Sequence, residues 1–416
     1  MDGIVHGGGL TAAAARYGGD PADWLDLSTG INPNMPDLPP IPVDVWNRLP
    51  DAGLVDQARV AARAFYLGEG LSVDRPPFNT SEPTVLSDIS PSSGAATVDS
   101  GEVSRQTMRS GLPTSVNAPS TSSSGPSRGS AALMKAGPAD PRDKPEDDDD
   151  GFAGRTPLPI PGTQSFIQIL PRLVPPGRPV AIVAPTYGEY AHCFKAAGFD
   201  VDLIASPDRV RPDHGALVVV NPNNPDGKAY RPDHLLALHE SLRSRGGHLH
   251  VDEAFGDGRP ELTLAAYASS LPGLTVSRSF GKFFGMAGLR LGFVFAVPET
   301  LALVDAALGP WAVSGPALSI AAALMSRDRN EIVSLIAARK RALDAVLCNA
   351  GLTIAGGTDL FSLVRLDAAQ ALFDHLAHCH ILVRKFDYAP DWLRFGLAAD
   401  DRGDRRLAQA LASFTA

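Results

Sequence analysis

The sequence predicts an α/β protein with a mostly parallel central sheet flanked by helices, a smaller α+β C-terminal domain, and a long disordered insertion early in the chain. Three observations lead there. Residues 180–183, 216–220 and 249–251 are continuous apolar runs separated by segments of helical periodicity, the pattern of parallel strands covered on both faces. Residues able to do chemistry follow directly after these runs, where open parallel sheets bind ligands. Between residues 70 and 155 the composition turns to Ser, Pro, Gly, Thr and Asp with little hydrophobic periodicity, closing on Lys144-Pro145-Glu146 and the aspartates Asp147 to Asp150. Such a segment cannot bury enough apolar surface to offset the entropy of ordering it.

Size and charge narrow the classes. With 416 residues, 44% of them hydrophobic, the chain can build a sizeable core. A net charge of -9 argues against nucleic acid or an anionic membrane as partner. Cys193, Cys348 and Cys379 are far apart and lack metal-ligand spacing, which suits a reduced, cytoplasmic protein with no metal site. No basic-then-apolar leader and no run of about twenty apolar residues is present, so neither secretion nor membrane insertion is expected.

The chain divides into an N-terminal arm (1–40), a large domain (41–69 and 156–295), the insertion (70–155) and a small C-terminal domain (296–416). In the arm, His6-Gly7-Gly8-Gly9 precedes an alanine-rich helical segment, 10–17, and a short strand, 24–28. The turn Thr29-Gly30-Ile31-Asn32-Pro33-Asn34 is rich in polar donors, and its glycine lets backbone approach a ligand closely. Helical spacing makes 55–66 an amphipathic helix. The aspartate run reads as solvated charge. Past the insertion, Pro161-Gly162-Thr163-Gln164-Ser165 opens an apolar helical turn, 166–170. Free backbone N–H groups and a hydroxyl at a helix start suit either a phosphate or an ordinary N-cap. Strand 180–183 leads into Tyr187, which can stack on a flat ring or pack a loop. Strands at 200–204, 216–220 and 249–251, with a helix at 232–243, continue the alternation. In the C-terminal part, 339–349 and 368–379 read as helices, and 352–354, 361–364 and 381–383 as strands.

Residues 277–292, Ser-Arg-Ser-Phe-Gly-Lys-Phe-Phe-Gly-Met-Ala-Gly-Leu-Arg-Leu-Gly, carry charges that are not expected as core filler. Lys282 sits among small and apolar residues, which disfavour the charged amine and free it to attack an aldehyde. Ser277, Ser279 and Arg290 offer hydroxyls and a forked cation to a phosphate on the same molecule. Aldehyde plus phosphate suggests pyridoxal phosphate; the alternative is a Gly-rich loop with a solvated lysine.

Three motifs follow apolar strands in order: Asn221-Pro222-Asn223-Asn224-Pro225-Asp226-Gly227, Asp252-Glu253-Ala254-Phe255, and Ser279-Phe280-Gly281-Lys282 with Ala287-Gly288-Leu289-Arg290-Leu291-Gly292. Together they resemble the fold-type I pyridoxal-phosphate enzymes of the aspartate aminotransferase superfamily. His6-Gly7-Gly8, Asp26-Leu27-Ser28-Thr29-Gly30-Ile31-Asn32-Pro33, Pro161-Gly162-Thr163-Gln164 and the Ser-Phe-Gly-Lys-Phe-Phe-Gly loop narrow the resemblance to the histidinol-phosphate aminotransferase branch. Within it the chain is most similar to the threonine-phosphate decarboxylases of cobalamin synthesis, and the likeness covers everything outside the insertion.

The resemblance implies that Lys282 forms a Schiff base with the cofactor, that Asp252 pairs with its pyridine nitrogen, that Asn224 bonds its phenolic oxygen and that Tyr187 stacks on its face. Gly162, Thr163, Ser279 and Arg290 would hold its phosphate. Arg394 matches the arginine for the substrate carboxylate, with Arg384 a second charge, while His6, Gly30, Ile31 and Asn32 would receive the substrate's own phosphate. Two departures stand out: Phe255 where many relatives have tyrosine, and Gly281 where many have serine before the lysine. The implied partners are a small phosphorylated amino acid and a second copy of the chain as homodimer. The implied reaction is decarboxylation of L-threonine O-3-phosphate to (R)-1-aminopropan-2-yl phosphate. An aminotransferase of histidinol-phosphate type and a non-catalytic cofactor-binding module remain as alternatives.

Overall fold

The computed structural model describes residues 7–68 and 156–415, so His6 and the expected insertion at 70–155 lie outside the described residues. Thirteen strands are described. In chain order they are β1 (Leu25–Asp26), β2 (Leu158–Ile160), β3 (Val180–Val183), β4 (Val201–Ile204), β5 (Ala216–Val220), β6 (His248–Asp252) and β7 (Leu274–Ser279). There follow β8 (Gly292–Phe295), β9 (Ile354–Thr358), β10 (Phe361–Arg365), β11 (Ile381–Leu382), β12 (Arg384–Phe386) and β13 (Ala389–Gly396).

Seven of them form one sheet in the order β2-β8-β7-β6-β5-β3-β4. The run from β7 to β4 is parallel, and β8 and β2 close the other side antiparallel. Every residue of β3, β5, β6 and β7 is buried, as strands covered on both faces must be. Helices Thr163–Ile169, Glu189–Ala196 and Pro298–Leu308 supply part of that cover, packing with Ile182, Val218 and Val294 in one apolar layer. On the other face Leu217, Val219, Leu249, Val251 and Val276 join the larger core. Parallel strands end at the same edge, so β3, β5, β6 and β7 deliver Tyr187, Asn224, Asp252 and Lys282 to one place.

The C-terminal part makes an antiparallel sheet, β12-β13-β10-β9, beside helices Asn330–Asn349, Ala369–His378 and Asp401–Ala412. A parallel pair, β1 with β11, ties the arm to this part. Helix Gly315–Met325 packs on helix Ala52–Leu67. The strand expected at 352–354 starts later, as β9, whose Gly356 and Gly357 lie against the turn at 221–227: Gly357 N–H donates to the Asp226 carbonyl at 3.2 Å. A Cβ on Gly227 or Gly356 would collide with the facing backbone oxygen.

One expectation is overturned in the core. Arg278 is 2% exposed, ion-paired with Glu253 at 2.7 Å and Asp257 at 3.0 Å, and stacked 5.0 Å from the Tyr66 ring. A charge of the lysine stretch is therefore core filler, made tolerable by two carboxylates and an aromatic face.

Candidate active site

Two neighbouring strands set the floor. Along β6, His248, His250 and Asp252 alternate with Leu249 and Val251 and so share one face; Thr275, Ser277 and Ser279 alternate likewise on β7. In register, His250 stands beside Thr275 and Asp252 beside Ser277. Asp252, 4% exposed, accepts the Tyr190 hydroxyl on Oδ2 at 2.8 Å and the Ala254 backbone N–H on Oδ1 at 3.0 Å. Burial pushes its carboxyl up, and those two donors pull against the shift. Ser277 does not join a phosphate site. It is wholly buried, its hydroxyl 3.4 Å from His250 Nε2 and 3.5 Å from Asp252.

Lys282 follows β7 on the short helix Phe280–Phe283, its Nζ 5.5 Å from the centre of the Phe255 ring. Burial first, then the Arg394 charge, pull its pKa from 10.5 down to about 8, with Asp252 opposing. Gly281 has a steric reason: a Cβ there would lie 2.7 Å from Ala287 Cα and 3.1 Å from its nitrogen. A serine hydroxyl has no room at that position.

Arg290 sits in the left-handed region at φ 55, and its guanidinium returns over Gly162, where a Cβ would lie 2.8 Å from Nη2. Gly162 itself has φ 76 and opens helix Thr163–Ile169, which no side chain caps. A cation, an uncapped helix start and the hydroxyl residues Thr163 and Ser279 thus share one corner of a cavity of about 960 Å³. Tyr187 also lines it. Its hydroxyl donates to Gln164 at 3.2 Å, Gln164 donates to Glu189 at 2.9 Å, and burial with the Glu189 charge pushes the phenol up to about 12.

The facing wall comes from β12 and β13, where Arg384 stands opposite Arg394. Arg394, 7% exposed, donates to the Ser28 carbonyl at 2.8 Å and to the Asn224 side-chain oxygen, and lies 4.8 Å from the centre of the Phe361 ring. Burial, then Arg384, pull it down to about 10; burial likewise lowers Arg384. From the arm, Gly30 and Ile31 line the cavity. Gly30 passes so close over Phe361 and Phe255 that a Cβ would sit 2.8 and 2.9 Å from them. Asn32 does not reach the cavity lining. Its backbone N–H bonds Lys282 O at 2.9 Å, its amide donates to Phe283 O at 2.9 Å, and its Oδ1 accepts Asn34 N–H at 3.0 Å, stapling the arm to the lysine helix.

The family model described as aminotransferase class I and II matches residues 153–411. The chain belongs to that aminotransferase family. Among family relatives, a threonine-phosphate decarboxylase from Sinorhizobium sp is 46% identical, over 98% of this chain and 98% of its own. One of the same name from Pseudomonas aeruginosa is 36% identical, over 99% of this chain and 98% of its own. Among solved aminotransferase structures, histidinol-phosphate aminotransferase from Sinorhizobium meliloti in complex with pyridoxal-5'-phosphate shares the fold, with a TM-score of 0.56, 21% identity, and coverage of 63% of this chain and 78% of that one.

Reasoning from sequence missed Tyr190, Gln164, His250 and Thr275. Signals for them exist: Tyr190 follows Tyr187 by three residues at a helix start, and the period of two puts His250 on the Asp252 face.

Proposed function

We propose that this aminotransferase-family chain is a pyridoxal-phosphate-dependent lyase that converts L-threonine O-3-phosphate to (R)-1-aminopropan-2-yl phosphate and carbon dioxide, in cobalamin synthesis. The observation that carries the reading is identity of 46% and 36% to threonine-phosphate decarboxylases along nearly the whole of each chain. The site fits the cofactor. Gly162 leaves a cradle that a Cβ would fill beneath Arg290, a buried amine has its pKa lowered to about 8, and a buried carboxylate stands at the sheet edge.

When bound, pyridoxal phosphate supplies an electron-accepting ring that stabilises charge left on the substrate's α carbon. Arg290, Thr163, Ser279 and the backbone at Gly162 would hold its phosphate, Lys282 would hold its aldehyde and Asp252 would pair with its ring nitrogen. Arg394 occupies the Asn224 side-chain oxygen, which leaves the amide N–H as the group that would donate to the phenolic oxygen. Phe255 adds no second donor there. Arg384 and Arg394 would bind the two anionic groups of the substrate, carboxylate and phosphate, and so orient its α carbon in the cavity. Lys282, once free and protonated, would be the group placed to deliver a proton to the α carbon after carbon dioxide leaves. His6 belongs with the substrate phosphate.

The chain divides, in this reading, into the arm (1–40), large domain (41–69 and 156–295), insertion (70–155) and small domain (296–416), and works as a cytoplasmic homodimer. Exposed apolar residues near the arm support the dimer, Val43 at 81% and Trp46 at 65% among them. Among the described residues no helix is long and apolar enough to cross a membrane.

The test is to incubate the cofactor-loaded protein with L-threonine phosphate and quantify carbon dioxide and amine product. Equal amounts of both, without a keto acid, are expected. Absence of carbon dioxide, together with amino transfer from histidinol phosphate to 2-oxoglutarate, would make the chain an aminotransferase.

A further inference from the structure

Behind Asp252, outside the cavity lining, lies a buried row of polar side chains to which no binding role falls. Tyr190 Oη contacts Asp252 Oδ2 at 2.8 Å and His250 Nε2 at 3.0 Å; Thr275 Oγ1 contacts His250 Nδ1 at 3.0 Å and His248 Nε2 at 3.0 Å. His248 and His250 are held neutral by burial, at about 4 and about 3, so each ring has one N–H and one bare nitrogen. An ionised carboxylate only accepts, so the Tyr190 hydroxyl donates to Asp252 and its oxygen is left to accept from His250 Nε2–H. The bare His250 Nδ1 then takes the Thr275 hydroxyl proton, and the Thr275 oxygen accepts from His248 Nε2–H. Every hydrogen bond in the row points the same way.

We propose that His248, Thr275, His250 and Tyr190 form a one-way hydrogen-bond relay that ends on Asp252 and holds its carboxylate ionised and fixed in place. Hydrogen bonds aligned head to tail polarise one another, so a donor at the end of such a row stabilises a buried anion more than an isolated hydroxyl does. The four are positioning residues: they act on the reaction only through Asp252. Their catalytic consequence rests on the reading of Asp252 as the partner of the cofactor's ring nitrogen; the proton positions rest only on Asp252 being ionised. Phe166, whose ring centre is 5.2 Å from that of His250, shields the row on one side.

The experiment reads those protons in protein stripped of cofactor, by long-range proton–nitrogen correlation of the histidine rings at pH 7. His250 and His248 are each expected in a single tautomer with the proton on Nε2. Thr275→Val removes the hydroxyl while keeping the shape; it should leave the His250 proton on Nε2, where Tyr190 accepts it, release His248 into mixed tautomers and, in the loaded enzyme, lower kcat on the order of tenfold with KM unchanged. Thr275→Ser should restore both. A proton on His250 Nδ1 in the unmodified protein overturns the relay, as does a Thr275→Val variant in which the His248 tautomer is unaltered. The expected tautomers in a protein that releases no carbon dioxide would leave the relay standing and remove the decarboxylase reading instead.

Discussion

Reloading stripped protein with pyridoxal phosphate across a pH series tests the buried amine of Lys282. Its pKa of about 8, against an ordinary 10.5, follows from burial and from the Arg394 charge. At pH 7 about one amine in eleven is then neutral, against about one in three thousand for an ordinary lysine, a gain of roughly 300-fold in the reactive form. Because the shift is downward and the acid is cationic, the reactive form increases with pH and saturates above the shifted value. The rate of covalent attachment, followed by the visible absorbance it creates, should therefore rise about tenfold per pH unit below 8 and level off above it. Arg394→Met removes a contribution that lowers the value, so the midpoint should move to higher pH; Lys282→Ala should abolish attachment. A wild-type rate still climbing steeply at pH 10 would refute the reasoning.

Gly281→Ser forces a Cβ to within 2.7 Å of the Ala287 backbone, and should cost about 1–3 kcal/mol in urea unfolding; an unchanged midpoint would show that the loop yields freely. Arg278→Met leaves Glu253 and Asp257 buried without their cation, so chemical denaturation should record a loss of about 3–5 kcal/mol.

Much of the site was legible because parallel strands concentrate their endings. Once 216–220 and 249–251 read as buried strands, Asn224 and Asp252 had to meet, whatever the loops did. β12 and β13 were not legible: Arg384, Asp387 and Asp391 interrupt the apolar pattern, since a strand that lends arginines to a cavity cannot also look like core. The burial of Arg278 escaped for the opposite reason. Its partners Glu253 and Asp257 lie more than twenty residues away along the chain, and no local pattern announces a cation that distant carboxylates will neutralise. Asn32 is expected at the substrate phosphate because the family resemblance carries it there; its hydrogen bonds to the lysine helix exist only once the arm has folded across.

The meeting of Gly227 with Gly356 and Gly357 makes the molecule a ruler. Asn224 belongs to one side of that contact and the paired arginines, through β10 and β13, to the other, with main chain touching main chain and no side chain between to compress or repack. The backbone of β9, and with it that of β10 and β13, is thereby held at a fixed distance from the turn that carries Asn224. A shift in the register of β9 would therefore carry the wall bearing Arg384 and Arg394 with it, where a substitution inside the cavity would move one side chain.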